Sequence, residues 1–191
     1  MVLVEQELIL RLKAGDGLAF KELVETRQSL VFNTILGFLQ NHEDTEDVTQ
    51  DVFIKVFESI HQFKGESALS TWVYRVAVTT ALEFIRRKKR KKRFGFLSPI
   101  LGENNEPTIE LADFHHPGVT LDNREKSTIL FKAIKELPEN QQIAFVLNKV
   151  EGLSYQEVAE IMKTSLSAVE SLLHRAKTNL KEILKNFYNL D

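Results

Sequence analysis

Apolar residues recur at helical spacing along most of the chain, and no segment alternates apolar and polar residues between hairpin turns. That pattern predicts an all-α fold, in which each helix buries one apolar stripe against its neighbours. The stretch from Ser70 to Arg93, STWVYRVAVTTALEFIRRKKRKKR, constrains the chain most. Ser70 or Thr71 can cap its start by accepting a hydrogen bond from a first-turn N–H. Val73, Ala77, Ala81 and Phe84 then recur on one face, which Trp72, Val76 and Ile85 widen. A thin polar stripe is left: Thr71, Arg75, Thr79, Glu83 and Arg86. The helix ends in eight consecutive basic residues, Arg86 to Arg93. A core-forming half, a stripe of hydrogen-bonding groups and a dense positive end suit a strand of nucleic acid better than a small substrate.

Net charge bears on that reading. It is −2 over 191 residues, so the whole protein is not a general polyanion binder, and a nucleic-acid site must come from local clustering. A hydrophobic fraction of 43% is enough for a folded core. The absence of cysteine excludes disulfides and zinc–thiolate sites. The N-terminal MVLVEQELILRLKAGD carries acids within its apolar pattern and lacks a basic stretch ahead of a long apolar one, unlike a signal peptide. No apolar run reaches the roughly 18 residues of a membrane span. The expectation is a cytoplasmic protein without membrane insertion.

Taken in order, Leu8, Ile9 and Leu12 make a short amphipathic face that Gly15-Asp16-Gly17 stops. Asp16 or Gly17 starts a helix with Phe20, Leu23 and Val24 inward, and Leu30 to Leu39 reads as a buried helix broken before Asn41-His42. From His42, Val48, Val52, Val56 and Ile60 are spaced by four, with Phe53 and Phe57 beside them, opposite a face of Glu46, Asp47, Gln50, Asp51, Lys55 and Glu58. Acids in its first turns complement the helix dipole, and no second ligand set with metal spacing accompanies His42. Phe63-Lys64-Gly65-Glu66 is a loop. Phe94 to Asn123 holds three of the four prolines together with five acids, and reads as a linker; its His115-His116 pair has no partner ligand near in sequence. No metal site and no cofactor are expected.

The remainder is helical. Ile129, Leu130, Ala133, Ile134 and Leu137 share a face, and Pro138 opens the next helix at a tolerated first-turn position. Ser154 and Glu157 form a capping box. A short Lys163-Thr164-Ser165 turn leads to a longer helix with Val169, Leu172, Leu173, Ala176 and Leu180 inward. Ser167, Glu170, Ser171, His174, Arg175 and Lys177 face out, and Ala159 is small where a second helix can cross. Two helices, a short turn and a polar outer face on the second match a helix-turn-helix that lays its second helix in the major groove.

Three blocks in this order, EDVTQDVFIKVF (Glu46–Phe57), STWVYRVAVTTALEFIRRKKR (Ser70–Arg90) and LPENQQIAFVL…EGLSYQEVAEIMKTSLSAVESLLHRAK (Leu137–Lys177), resemble the extracytoplasmic-function group of bacterial RNA polymerase sigma factors. The resemblance implies two helical domains, 1–95 and 122–191, joined by a flexible acidic linker, 96–121. It implies that Asp47, Gln50 and Asp51 dock on core RNA polymerase. It implies that the Phe63–Ala68 loop and the Ser70–Arg93 helix open and read the minus-ten promoter element, with Phe63, Arg75, Thr79, Arg86, Arg87, Lys88 and Arg90 touching DNA. Aromatic contacts and positive charge are what a melted strand requires, and Trp72 is expected in the core. The helix-turn-helix is implied to read the minus-thirty-five element through Ser165, Ser167, Glu170, Ser171, His174, Arg175 and Lys177. The implied partners are core polymerase, promoter DNA and an anti-sigma factor, with no small-molecule substrate and no catalytic residue.

Departures from the family pattern bear on base choice. The family often has Asn where this chain has Thr79 and Asp where it has Glu83. A threonine cannot make the bidentate base contact of an amide. Glu170 and Leu172 stand where Lys and Arg are common. Two other readings follow from the residues: a sigma-like adaptor that binds polymerase without reading promoters, and a metal-dependent nuclease built on the His42–Asp51 acids.

Overall fold

Helix α1 (Val2–Lys13) ends where Gly15 takes a positive φ of 78°, a conformation that glycine adopts without strain. Asp16 then caps α2 (Gly17–Leu39), its carboxylate accepting from the Leu18 N–H at 2.8 Å and the Ala19 N–H at 3.4 Å. Arg11 Nε donates to the same carboxylate at 2.8 Å, and this bond, with the one from Leu18, holds Asp16 below the ordinary carboxylate range. The computed structural model describes residues 2–95 and 124–188, with side chains over 5–91 and 126–186. The 96–121 linker and His115-His116 lie outside the described residues.

The two apolar stretches expected between Gly17 and Leu39 form one helix. Its second half is buried nearly all round, with Val31, Ile35 and Phe38 fully enclosed. Gln40 stops it in the left-handed conformation (φ 54°), its N–H donating to the Leu36 carbonyl at 2.9 Å. Asn41 caps α3 (His42–Ser59) by accepting from the Asp44 N–H at 2.7 Å. Val48, Val52, Val56 and Ile60 are buried as their spacing predicts, but Phe57 is half exposed and stacks edge-on against Phe20, ring centroids 5.0 Å apart.

A 3-10 turn (Ile60–Gln62) and a loop lead to α4 (Leu69–Gly95). Its start differs from the Ser70 or Thr71 cap expected. The helix begins at Leu69, two residues before a Ser70 cap would start it, and the Leu69 N–H donates to the Glu5 carboxylate of α1 at 3.0 Å. A side chain 64 positions away thus satisfies the helix start, which local sequence cannot announce. Helices α2, α3 and α4 pack on one another, with Leu69, Val73, Ala77 and Ala81 as the α4 contribution. Fully burying a Leu-, Ile- or Phe-sized side chain contributes about 1.5–3 kcal/mol, so this shared core dominates the stability of the half.

The C-terminal half comprises α5 (Arg124–Glu136), α6 (Glu139–Phe145), a π-helical turn (Val146–Val150), α7 (Tyr155–Met162) and α8 (Leu166–Tyr188). Pro138 is the residue before α6 rather than its first turn. The capping box is present: Ser154 Oγ accepts from the Glu157 N–H at 3.2 Å, and the Glu157 carboxylate accepts from the Ser154 N–H at 2.8 Å. Ser154 thereby holds the Glu157 carboxyl below its ordinary range. Val169, Leu173, Ala176 and Leu180 of α8 seat against α5, α6 and α7. The described residues form eight α-helices and no strand, so the fold is all-α.

Candidate nucleic-acid interface

Three polar surfaces stand on this scaffold. On α3, Asp47, Gln50 and Asp51 are exposed on the side away from the buried valines. Ile54, 55% exposed, shares their face, lying three positions after Asp51 and seven after Asp47, and Phe57 is 50% exposed nearby. The sequence pattern alone did not single out this apolar patch. Its signal was present: Ile54 is an apolar residue on the polar arc of the helix.

On α4, Arg75, Thr79 and Glu83 follow one another by four and share a stripe. Thr79 is exposed, and Glu83 accepts from Lys55 Nζ of α3 at 2.6 Å. Arg75 points along the surface to α7, where its Nε and one terminal nitrogen donate to the Glu160 carbonyl at 3.1 and 2.6 Å. Two aromatic positions are exchanged relative to expectation. Phe63 is only 4% exposed and packs on Trp72 at 5.5 Å, so it offers no face on which a base could stack here. Trp72, expected in the core, is half-buried and lines a cleft of about 840 Å³ beside Arg75 and Thr79. The loop turns inward at Phe63, which joins the buried core cluster with Ile60 and Leu69, its N–H donating to the Ile60 carbonyl at 3.0 Å.

The basic run is partly engaged within the chain. Arg86 pairs with Glu139 of α6, its Nε at 3.2 Å from the carboxylate. Lys88 pairs with Asp44 of α3 at 2.5 Å. Arg87 and Lys88 lie over the Phe84 ring at 5.4 and 5.7 Å. Arg87, Lys89, Arg90 and Lys91 are exposed along the end of α4.

On α8, Ser167, Glu170, Ser171, His174, Arg175 and Lys177 are all exposed, opposite the buried seam. Ser165 acts locally. Its Oγ accepts from the Ala168 N–H at 3.2 Å, capping α8, and lies 3.1 Å from Ser167 Oγ. Lys163 makes the turn in the left-handed conformation (φ 52°), and Ala159 is buried where α7 meets α8. Among the described residues no group of three or more His, Asp or Glu is arranged to hold a metal. His42 is taken up by Glu46 at 3.3 Å and by the edge of Phe32. No helix among the described residues is long and apolar enough to cross a membrane.

Family models match both halves: Sigma-70 region 2 over residues 23–91, and Sigma-70, region 4 over residues 127–180. The ECF RNA polymerase sigma-E factor of Haemophilus influenzae is 35% identical over 175 residues, 92% of each chain. Two solved structures share the fold. CnrH, in complex with the cytosolic domain of CnrY, matches with a TM-score of 0.65 and 18% identity over 95% of this chain and 97% of that one. The sigma factor RpoE of Bartonella quintana, in complex with the anti-sigma factor NepR, matches with a TM-score of 0.63 and 22% identity over 87% of this chain and 96% of that one.

Proposed function

Since the chain belongs to the extracytoplasmic-function family of RNA polymerase sigma factors, we propose that its surfaces divide the work of promoter recognition as three separate faces. The protein is a sigma factor: it binds core RNA polymerase and directs promoter-specific transcription initiation. The family is one of transcription initiation factors. In our reading the chain supplies no catalytic residue, works in the cytoplasm and takes no cofactor.

Residues 1–95 dock on core polymerase and read the minus-ten element, 96–121 link, and 122–191 read the minus-thirty-five element. Asp47, Gln50 and Asp51 pair with basic groups of the polymerase, and Ile54 supplies the apolar centre of that contact. A charged ring around a small apolar patch is the usual anatomy of a specific interface. Arg75 and Thr79 contact bases of the melted strand, and Arg87, Lys89, Arg90 and Lys91 track its phosphates. Phe63 acts by holding the loop rather than by stacking, and Trp72 is the aromatic within reach of a base. The outer face of α8 enters the major groove. By analogy with the Bartonella relative, an anti-sigma factor is a partner.

The observation that carries this reading is the exposed polar face of α8 from Ser167 to Lys177, set on a buried seam beside a capped α7. The adaptor reading draws on one fact: nine basic and nine acidic residues balance between Glu125 and Asp191, so this half has little charge for non-specific DNA binding. Base-resolved footprinting of the reconstituted holoenzyme decides between the two. Protection at both elements supports promoter reading, and polymerase binding without protection supports an adaptor.

A further inference from the structure

Leu166, Ser167, Glu170, His174, Lys177 and Lys181 share one arc of the outer face of α8. All are exposed, and Leu166 is 44% exposed although it is apolar. Buried Val169, Leu173, Ala176 and Leu180 hold the other side, so the arc cannot turn inward. Its chemistry changes along its length, from apolar at Leu166 to acidic at Glu170 to basic at Lys177 and Lys181. No lysine or arginine stands three or four positions from Glu170: Leu166 and Ser167 lie one turn before it, Leu173 and His174 one turn after. Among the described residues no hydrogen bond or ion pair engages its carboxylate. Glu182, farther along the same helix, pairs with Lys185 at 3.4 Å.

A carboxylate offers acceptors only. Duplex DNA has few donors for it. Phosphates repel it, and in the major groove only cytosine N4 and adenine N6 donate hydrogen bonds. Adenine N6 stands beside N7, a second acceptor that opposes a carboxylate, so cytosine is the base that a lone Glu satisfies. An exposed Leu166 finds its counterpart in the thymine methyl, the apolar feature of that groove. Leu166 precedes Glu170 by four residues, about 6 Å of helix at about 1.5 Å per residue, or roughly two base steps of about 3.4 Å. Lys177 and Lys181 lie farther on, where a helix whose first turns meet base edges passes over the backbone.

We propose that Glu170 sets base choice in α8 by selecting a cytosine of the minus-thirty-five element, and that Leu166 selects a thymine within about two base pairs of it. The proposal rests on the reading of α8 as the helix that enters the major groove. Glu170 acts as a filter. Against cytosine it gains a hydrogen bond, whereas guanine turns O6 and N7 toward it and thymine O4, all acceptors. A wrong base therefore costs repulsion as well as a missing bond, which is discrimination by exclusion. Lys177 and Lys181 attract the phosphates of any duplex, and the acid subtracts from that attraction, so it gives up affinity for selectivity.

The test challenges reconstituted holoenzyme with promoters randomised across the minus-thirty-five element and sequences the bound templates. Wild type is expected to enrich cytosine at one position by about tenfold over the other bases. Glu170→Gln is expected to switch that same position to adenine, since an amide pairs with N6 and N7 together. Glu170→Ala is expected to lose the preference there alone, and Leu166→Ala to lose thymine at a position within about two pairs of it. A change of base identity, unlike a change of affinity, is not produced by altered charge or by loss of fold. Arg175→Ala tests the underlying reading of α8. An element that responds to Arg175→Ala, but in which no position changes under Glu170→Gln, overturns the proposal and leaves that reading standing. A library with no selected element, or one indifferent to Arg175→Ala and Glu170→Gln alike, overturns both. Equal gains on every template when the acid is removed make Glu170 a bystander near phosphates, and weaker binding to core polymerase makes it a protein contact; either result overturns the proposal.

Discussion

The Arg75 guanidinium donates two hydrogen bonds to the backbone carbonyl of Glu160, 85 positions along the chain. A backbone acceptor cannot be removed by substitution at Glu160, so the contact is tested from the arginine. Arg75→Ala is expected to lower holoenzyme protection at the minus-ten element. Unchanged protection would confine Arg75 to its contact with α7.

Docking on polymerase is expected to depend on charge and on the apolar patch together. Asp47→Lys with Asp51→Lys should weaken core binding by about tenfold or more, as breaking interfacial charge pairs does. Ile54→Asp should act in the same direction, while circular dichroism stays unchanged because all three side chains are exposed. Core affinity equal to wild type in a titration of labelled protein contradicts the assignment.

The basic run should divide into two classes. Replacing Arg87, Lys89, Arg90 and Lys91 by Gln removes exposed charge and should flatten the salt dependence of holoenzyme–DNA binding. Each duplex phosphate that is no longer neutralised should lower the log–log slope by up to about 0.9. Lys88→Gln should change it less, since Asp44 of α3, in the same half, already neutralises it. Equal slopes in all variants would make the run a solvated face.

Stability should also depend on pH through Glu151, which follows the π-helical turn and packs against α2. Burial pushes its carboxyl up from an ordinary 4.5 to about 7, and the Thr34 hydroxyl opposes the shift. Arg27 on α2, Tyr74 on α4 and Glu157 on α7 share its surroundings, and burial first, then Glu151 and Glu157, raises the Tyr74 hydroxyl well out of this range. Unfolding returns Glu151 to water, so the unfolded chain loses this proton at lower pH than the folded one. The stability contributed by the group is therefore full below about 4.5 and is lost as pH rises through about 7. Denaturant midpoints recorded at acidic and alkaline pH should fall with rising pH by a larger margin in the wild type than in Glu151→Gln. An identical response in both would place the titrating group elsewhere.

Buried side chains of both halves belong to one core cluster, and stability should respond to substitution in either half. Phe38→Ala, at a fully buried position of the N-terminal half, should destabilise the protein by about 3–5 kcal/mol. Ser154→Ala removes the capping box of α7 in the C-terminal half and should cost about 1 kcal/mol. Denaturant unfolding checks both values.

What could be read in advance was whatever is local. The spacing by four of Val48, Val52, Val56 and Ile60 named a buried face because helical period alone decides it. Ser154 and Glu157 announced a helix start because the capping box needs only three residues of separation. The two faces of α8 followed in the same way. What could not be read was carried by distant partners. Glu5 satisfies the start of α4, so Ser70 and Thr71 were misleading. Phe63 joins the core with Ile60 and Leu69, and its ring packs on Trp72, which lines the cleft. Gln40 makes a left-handed stop where glycine is the usual sign. The Arg75–Glu160 joint leaves no trace in local pattern, because an exposed arginine on a polar stripe looks the same whether it faces DNA or another helix.

The most direct measurement is run-off transcription by core RNA polymerase reconstituted with this protein on a library of randomised promoters. The account predicts transcripts only when the protein is present. It also predicts that selected templates share two conserved elements about 25 base pairs apart, one altered by Thr79 or Trp72 substitutions and the other by Glu170 or Arg175 substitutions. Tight polymerase binding with no selected sequence, or with a single element indifferent to α8, would contradict it.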